Sequence, residues 1–317
     1  MARRRSPKRQ APSWITALVA GILLGAGLMI GIRMAQHQPA QRPPHPAAIR
    51  TPPAGPAHPQ TFPRPAAPPH AAPQIPRQNP EVSQGPAIGP GTPGPGVGRP
   101  QVAIIFDDAG YSMRAAQEVM DLGRPVTISV LPDLAYSTAI AEEAPRHGVQ
   151  VILHLPLQPD NPSITLGPGG ITVDMNDEEI ERTVAADFGT VPAAVGANNH
   201  MGSRGTSDPR VMRAVLSAVK ARHLFFVDSL TSPHSVAARV ARDMGVPTAV
   251  RAVFLDNQDD EGYVRGQLMT LIKVAQERGQ AVAIGHVGKV TVRVLRDMLP
   301  VFDEAGIRLV PVSQLVQ

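Results

Sequence analysis

The stretch Val102–Gly110, VAIIFDDAG, decides the fold. Its first five residues are apolar, which is typical of a strand that is buried on both faces. The strand ends in two adjacent carboxylates, Asp107 and Asp108, which repel each other unless a cation or hydrogen bonds offset the repulsion. Two interpretations follow. Asp108 caps the next helix and Asp107 faces solvent, or the pair belongs to a metal or catalytic site.

Short apolar runs then alternate with helical patterns through the rest of the chain. Helix starts are indicated at Asn176, at Ser207 with Pro209 and at Ser232 with Pro233. This alternation predicts an α/β fold with a parallel sheet, and seven or eight strand–helix units favour a closed or nearly closed barrel. No Gly-rich phosphate loop follows the first strand, which argues against a nucleotide-binding fold. The predicted strands cover residues 102–106, 126–130, 150–153, 194–197, 224–227, 249–255, 281–285 and 308–312.

Charge divides the chain into two parts. Residues 1–99 contain eleven Lys or Arg and one acid, Glu81; this part is therefore +10, and the total of +4 leaves −6 for residues 100–317. The basic pI belongs to the N-terminal part, so we expect no nucleic-acid partner for the folded domain. The chain has no cysteine, so a metal would need His, Asp or Glu ligands.

The N-terminal part predicts a membrane anchor and a tether. A basic segment, residues 1–14, precedes the uncharged residues 15–32, which as a helix would span about 27 Å, close to the thickness of the bilayer core. The charge order predicts a single-pass protein of the inner (cytoplasmic) membrane, with a cytoplasmic N-terminus and the domain on the periplasmic or extracellular side. We favour an uncleaved signal anchor over a cleaved signal peptide, because no A-x-A site follows promptly. Residues 33–99 are rich in Pro, Ala, Gly and Gln, which predicts a disordered linker.

Polar residues follow the predicted strands of the barrel domain, residues 100–317. The C-terminal ends of parallel barrel strands converge on one face, where active sites are built. Three histidines and four carboxylates in these positions favour a site over isolated structural residues. In chain order the polar residues are Asp107, Asp108, His154, Asn198, Asn199, His200, Asp228, Ser229, Asp256, Asn257 and His286.

The residue types indicate metal chemistry. Two histidines and one carboxylate suit a divalent transition metal such as Zn²⁺, with an open position for water. The other carboxylate of the Asp107–Asp108 pair would then act as the base that deprotonates this water. His286 would be the acid that protonates a leaving group.

Six motifs together resemble the divergent polysaccharide deacetylase family, a branch of the metal-dependent carbohydrate esterases with a distorted (β/α) barrel. They are FDDAG, HGVQVILHLPLQP, NNHMGSR, FVDSLTS, FLDN and AIGH, and the resemblance covers about residues 100–315. It implies that Asp107 is the catalytic base and Asp108 a metal ligand. The superfamily motif H-T-x-x-H-P aligns with His154 to Pro159, and the late L-x-H motif aligns with Ile284-Gly285-His286, which makes His286 the candidate acid.

The sequence departs from the superfamily pattern at Gln158, where the second ligand histidine is expected. Either the site has lost its metal or His200, from the next strand, supplies the missing nitrogen, and we favour His200. The expected metal ligands are therefore Asp108, His154 and His200. Asp228 is expected to orient His286, with Asp256 as a rival. The expected substrate-binding residues are Asn198, Asn199, Ser203 and Asp256.

The implied function is removal of N- or O-acetyl groups from a carbohydrate or peptidoglycan fragment by metal-activated water. Zn²⁺ is the expected ion, with Co²⁺ or another divalent metal as alternatives. The chain has only three tyrosines to offer as platforms for sugar rings, Tyr111, Tyr136 and Tyr263, which favours a short substrate.

Two other functions remain open from the sequence. One is a catalytically inactive deacetylase fold that binds a cell-envelope glycan or protein partner. The other is a glycoside hydrolase in which Asp228 and Asp256 form the carboxylate pair.

Overall fold

The computed structural model describes residues 98–317. The predicted cytoplasmic segment 1–14, the predicted membrane anchor 15–32 and nearly all of the predicted linker 33–99 lie outside the described residues. Within residues 98–317, no helix combines the length and the apolarity that crossing a bilayer requires. The described residues cover the whole of the predicted barrel domain.

Nine strands within residues 98–317 form one sheet in which every pairing is parallel. They are β1 (Gln101–Ala109), β2 (Thr127–Val130), β3 (Gln150–Leu157), β4 (Gly196–Met201), β5 (Phe225–Asp228), β6 (Thr248–Val250), β7 (Val253–Phe254), β8 (Gln280–His286) and β9 (Arg308–Leu309). The strand order is β6-β5-β4-β3-β2-β1-β8-β7, and β9 pairs with β1. The predicted parallel α/β fold is confirmed.

Seven α-helices lie between these strands. They are α1 (Met113–Met120), α2 (Ser137–Glu143), α3 (Asp177–Thr190), α4 (Pro209–Lys220), α5 (Ala237–Asp243), α6 (Glu261–Arg278) and α7 (Lys289–Glu304). Short 3₁₀ turns cover Ala144–His147, Gly205–Ser207 and Val312–Gln314.

Of the three predicted helix starts, one is confirmed, one moves by a single residue and one is wrong. Asn176 caps α3 in a capping box with Glu179, as predicted. The start predicted at Ser207 moves one residue to Asp208, whose side chain accepts hydrogen bonds from the first turn of α4. The start predicted at Ser232 is wrong, because α5 begins only at Ala237.

The sheet curls, and two residues connect its two ends. β6 pairs with β5 and β7 pairs with β8, and only Arg251 and Ala252 separate β6 from β7 along the chain. The backbone N–H of Arg251 donates to Asp228 (3.0 Å), on one side of this seam, and that of Ala252 donates to Val282 (2.8 Å), on the other. The single strand predicted for residues 249–255 is therefore two short strands, and the predicted barrel is a curled sheet that the chain itself closes.

Apolar side chains of the sheet alternate between two clusters. In β1, Ile104 and Phe106 belong to the large cluster between sheet and helices, whereas Ala103 and Ile105 belong to a small cluster inside the curl. The inner cluster also contains Ile152 of β3, Val227 of β5 and Ile284 of β8. Since side chains along a strand point to opposite faces in turn, this alternation decides which polar residues reach the inner space at the C-terminal strand ends.

Candidate metal and catalytic site

β1 delivers both of its carboxylates to the inner space of the sheet. Asp107 follows the inward alternation of the strand, whereas a regular strand would turn Asp108 toward the helices. Asp108 instead has a φ of +63°, and the pairing of β1 with β2 shifts register around it. A bulge of this kind redirects a side chain. As a result, Asp107 Oδ2 and Asp108 Oδ1 lie 3.5 and 3.2 Å from Nε2 of His154.

Three donor atoms from three neighbouring strands form a small triangle. Asp108 Oδ1 lies 3.0 Å from His200 Nδ1 and 3.2 Å from His154 Nε2, and the two nitrogens are 3.2 Å apart. His154 is buried within β3, and His200 and Asp108 are half-buried. This is a possible His/Asp metal site, formed by the three residues that the sequence indicates as ligands.

The triangle fits a divalent ion in size and in chemistry. Donors bound to Zn²⁺ at about 2.0 to 2.2 Å in a tetrahedral arrangement lie about 3.3 to 3.6 Å apart, so the observed separations need only a small expansion. Asp108 Oδ1 is buried and lies close to two imidazole nitrogens, but among the described residues no N–H or O–H group is aligned to donate a hydrogen bond to it. A buried carboxylate oxygen without a partner is costly, and a cation between the three donors would satisfy it.

The buried side chain of Asn198, in β4, connects the residues of the site through four hydrogen bonds. Its Oδ1 accepts hydrogen bonds from His154 Nδ1 (2.8 Å) and Ser129 Oγ (2.5 Å), and its Nδ2 donates to Asp107 Oδ1 (2.9 Å) and Ser229 Oγ (3.1 Å). An amide oxygen cannot donate, so Nδ1 of His154 carries the proton and Nε2 faces the triangle. The expectation that Asn198 binds substrate is wrong, because its side chain is fully buried.

Burial and charge set the electrostatics of the group. Burial raises the pKa of Asp107, and His154 and Asn198 offset only part of that rise. Burial also raises the pKa of Asp108, but the two imidazoles outweigh it and hold that pKa below its ordinary value. Burial lowers the pKa of His154, and the two carboxylates outweigh it, so the net pKa is raised. All three shifts have the same origin, which is the close packing of two carboxylates and two imidazoles in a buried site.

His286 approaches the donors from β8 and is anchored by Asp256. Its Nδ1 donates to Asp256 Oδ1 (3.0 Å) and its backbone N–H donates to Asp256 Oδ2 (2.7 Å), an oxygen that also accepts from Thr291 Oγ1 (2.6 Å). Its Nε2 lies 3.7 Å from Asp108 Oδ2, and its side chain is 40% exposed. Burial lowers the pKa of His286, but the contact with Asp256 outweighs it and raises the pKa to about 9. The imidazole is therefore protonated, anchored on one side and open on the other.

Asp228 does not orient His286, which corrects the expectation. Asp228 lies two residues after Phe226, which faces the helices, so its side chain is on the helix-facing side of β5. Val227, between them, points inward. Its carboxylate accepts hydrogen bonds from the backbone N–H of Leu230 (2.9 Å), from Ser235 Oγ (2.8 Å) and from the N–H of Ala238. Asp228 thus holds the loop between β5 and α5. It lies on the helix-facing side of β5 and Asp256 on the inner face, which disfavours the two as the carboxylate pair of a glycoside hydrolase.

The remaining expected substrate-binding residues mostly have structural contacts. Asn199 is 1% exposed and bonds to Met201 and Ser229, so the expectation for it is wrong. Asp256 contacts His286 and Thr291, as described above. Ser203 is half-buried, and its Oγ accepts a hydrogen bond from the N–H of Asp160 (2.8 Å), so a role in substrate binding stays a prediction.

Gln158 makes structural loop contacts, whereas the superfamily histidine at this position is a metal ligand. Its Oε1 accepts a hydrogen bond from the N–H of Val173 (2.9 Å), and its backbone oxygen accepts from Arg204 and Gly205. It thereby ties the long loop after β3 to the loop after β4. The second nitrogen near Asp108 comes from His200 instead.

Three contributors were missed from the sequence: Arg251, Ser129 and Thr291, the last of which donates to Asp256 as described above. Arg251 at the seam donates to the backbone oxygens of Ser229 (2.7 Å) and Leu230 (2.8 Å) and lies over the Phe254 ring. Its charge acts on Asp107 from that side. Ser129, in β2, donates a hydrogen bond to the side-chain oxygen of Asn198. The available signals were a charged residue within the apolar run TAVRAVF and a serine within the strand TISV.

The comparison with protein families identifies the family of the described domain. The description "Divergent polysaccharide deacetylase" belongs to the family that matches residues 104–316. The chain therefore belongs to the divergent polysaccharide deacetylase family, as the motifs indicated.

Individual relatives extend the match. An uncharacterised protein of Haemophilus influenzae is 33% identical over 211 residues, 67% of this chain and 72% of that protein. YibQ of Escherichia coli K12, also uncharacterised, is 36% identical over 199 residues, 63% of this chain and 62% of YibQ. The crystal structure of an uncharacterised protein from Agrobacterium tumefaciens C58 covers 71% of this chain and 92% of its own, with a TM-score of 0.66 and 22% identity. This last similarity shows the shared fold.

Proposed function

We propose that the protein is a metal-dependent hydrolase that removes N- or O-acetyl groups from an envelope carbohydrate. The observation that carries this proposal is the triangle of Asp108 Oδ1, His154 Nε2 and His200 Nδ1, in which the buried carboxylate oxygen accepts no hydrogen bond from the described residues. A general base and a general acid flank it, Asp107 and His286. Membership of a deacetylase family supports the substrate class.

Each side chain has a distinct task in this proposal. Asp108, His154 and His200 would hold the ion, which when bound supplies Lewis-acid activation of water and of the acetyl carbonyl. Asp107, whose pKa burial raises, accepts the proton of the attacking water. His286 donates a proton from Nε2 to the departing amine or alcohol, while Asp256 and Thr291 fix its ring. Asn198 keeps His154 in the required tautomer.

The donor set favours Zn²⁺ among the possible ions. Two imidazole nitrogens and one carboxylate oxygen, with a position left open, are typical of catalytic zinc sites. Co²⁺ accepts the same ligands and is the natural substitute. Mg²⁺ and Ca²⁺ prefer oxygen donors, and the two nitrogens disfavour them.

The proposed place of action is the cell envelope. The apolar segment 15–32 would anchor the chain in the inner membrane, and the Pro-rich segment 33–99 would tether the domain on the periplasmic or extracellular side. An acetylated glycan or a peptidoglycan fragment is then the accessible substrate, and envelope proteins are the accessible partners. Fusion of the chain to a reporter that is active only outside the cytoplasm tests this orientation.

A second candidate is a non-catalytic protein that binds an envelope glycan or protein. Gln158 favours it, because the superfamily histidine is replaced and the glutamine serves a loop contact instead. Under this proposal the domain binds its partner without needing the donor triangle, so binding survives His154→Ala and His200→Ala.

One experiment separates the two candidates. The purified full-length chain is loaded with Zn²⁺ or Co²⁺, its metal content is measured, and acetate release is followed with chitotetraose and with acetylated peptidoglycan fragments. We expect one ion per chain and turnover that Asp107→Asn reduces by about a thousandfold, within the range for a lost general base. The matched control is Asp297→Asn, the same chemical change at an exposed position of α7. Absence of a stoichiometric metal, or turnover equal to that of Asp107→Asn, contradicts the hydrolase proposal.

A further inference from the structure

Exposed large apolar side chains concentrate at the end of the sheet that carries the donor triangle. Of the five on the described residues, Tyr111 (67% exposed) follows β1, Tyr136 (43%) follows β2 and Ile164 (38%) follows β3. The other two, Val195 before β4 and Met269 within α6, lie elsewhere. Single exposed apolar residues are ordinary, but a group beside a candidate site is a recognised mark of a binding surface.

The two tyrosines stand on a rigid base. The backbone N–H of Tyr136 donates to the oxygen of Gly110, the residue before Tyr111 (3.1 Å). Gly110 has a φ of +132°, and a Cβ there would lie 2.9 Å from the Leu134 side chain, so the two loops are closely packed. Ser137 Oγ donates to Leu131 (2.6 Å) and accepts from the N–H of Leu134 (3.0 Å), which fixes the second loop. The rings are therefore exposed although their backbones are held.

We infer that Tyr111 and Tyr136 form a platform on which a sugar ring of the substrate stacks. This inference rests on the proposed function and specifies its substrate. A tyrosine ring offers an apolar face with a hydroxyl at its edge, and a pyranose likewise offers a C–H face with hydroxyls at its edge. The fit is therefore to a carbohydrate rather than to a purely apolar ligand.

The position of the platform indicates an oligosaccharide rather than a single sugar. Tyr111 follows Asp108 by three residues, so their Cα atoms lie at most about 11 Å apart. A sugar whose acetyl group reaches Asp107 and His286 lies over the donor triangle, and the platform is left for a neighbouring sugar of the same chain. The expected substrate is therefore acetylated at one sugar and recognised at another.

The small number of tyrosines makes a direct test possible. The full-length chain is labelled with 3-fluorotyrosine, which gives three ¹⁹F resonances for the three tyrosines of the sequence. Tyr→Phe variants assign them, and chitotetraose or an acetylated disaccharide fragment of peptidoglycan is titrated in. We expect the resonances of Tyr111 and Tyr136 to shift with the sugar, and that of the half-buried Tyr263 to stay as the internal reference.

Substitutions measure the contribution of each ring. We expect Tyr111→Ala and Tyr136→Ala each to raise the Kd of chitotetraose about three- to tenfold, as for a lost aromatic stacking contact. The corresponding Phe variants should keep most of the affinity, because the ring face remains. Met269→Ala, which removes an equally exposed apolar side chain from α6, is the control and should leave the Kd unchanged.

The outcomes separate this inference from the proposed function. Shifts without acetate release support the platform and count against the hydrolase. Acetate release with an unchanged KM in both Ala variants supports the hydrolase and overturns the platform. Absence of a shift at Tyr111 and Tyr136 with both sugars also overturns it.

Discussion

Asp256 and Asp228 occupy comparable places in the sequence and opposite places in the molecule. Asp228 is the last residue of β5 and Asp256 comes two residues after β7, and each has a carboxylate that is almost fully buried. Asp256 lies on the inner face, where it anchors His286, whereas Asp228 lies on the helix-facing side, where it holds a loop. Polar residues on the inner face of the sheet therefore form the candidate active site, whereas those on the helix-facing side stabilise the fold.

Alternation along the strands explains this division. His154 and His286 each come two residues after an inward-facing isoleucine, Ile152 and Ile284 respectively. Asn198 faces inward because its neighbour Ala197 faces the helices. Asp108 breaks the rule, because the bulge and the positive φ at the end of β1 return its side chain to the inner face. A non-glycine residue in that conformation is strained unless its surroundings hold it, and residues of this kind are enriched at active sites.

The largest expected effect concerns the two candidates for the second nitrogen ligand. We expect His200→Ala to lower Zn²⁺ affinity by at least about a hundredfold and to abolish acetate release, because one of three donors is lost. Gln158→Ala should leave affinity within about twofold, since its amide contacts Val173 rather than the triangle. Zn²⁺ titration of the metal-free variants measures both. Equal losses in the two variants would contradict the assignment of His200.

The next effect tests the inner aspartate. We expect Asp256→Asn to lower kcat for deacetylation by about a hundredfold and to leave KM and metal content nearly unchanged. The reason is that His286 Nδ1 loses its charged acceptor while the donor triangle stays intact. Steady-state kinetics on the Zn²⁺-loaded chain measures this. A loss of bound metal in this variant would show that Asp256 supports the triangle instead.

Its counterpart on the helix-facing side should behave in the opposite way. We expect Asp228→Asn to keep kcat within about twofold but to lower the free energy of unfolding by about 1 to 3 kcal/mol. Its carboxylate accepts three hydrogen bonds in the loop before and within α5, and an amide cannot accept all of them. Denaturant unfolding measures the loss. A drop in kcat as large as that of Asp256→Asn would remove the distinction between the two regions.

The smallest effect on activity concerns a second buried acid in the helix layer. Asp187 of α3 is 1% exposed, its Oδ2 has no hydrogen-bond partner among the described residues, and its carboxyl packs on Gly169. Burial, with the nearby charge of Asp133, raises the pKa of Asp187 to about 8. This group is therefore held as a neutral acid in the folded chain at neutral pH.

The sign of the resulting pH dependence follows from the two pKa values. Between pH about 4 and pH about 8 the unfolded chain has released this proton and the folded chain has kept it, so stability falls as pH rises, by at most about 1.4 kcal/mol per unit. We expect Asp187→Asn to flatten this slope and to be more stable than the wild type at pH 8, with activity unchanged. Denaturant unfolding at pH 5 and pH 8 measures it, with Asp297→Asn as control. A slope identical to that of the wild type would contradict the assignment.

Much of the fold could be predicted from the sequence, because its signals are local. Strand β1, the capping box at Asn176 and the alternation of strands with helices depend on residues close in the chain. The errors arose where tertiary contacts decided the outcome. The run 249–255 is one apolar stretch in the sequence, but its two halves pair with different ends of the sheet. The strand is therefore interrupted at Arg251 and Ala252.

The site divides in the same way. The sequence by itself determined which residue types follow the strands, and therefore that carboxylates and histidines meet at one end of a parallel sheet. Only the tertiary structure decided their tasks. Asn198 became an internal support, and Asp256 rather than Asp228 came to hold His286. The reason is geometric: side-chain direction depends on alternation, bulges and register between strands, and these are set by pairing between residues far apart in the chain.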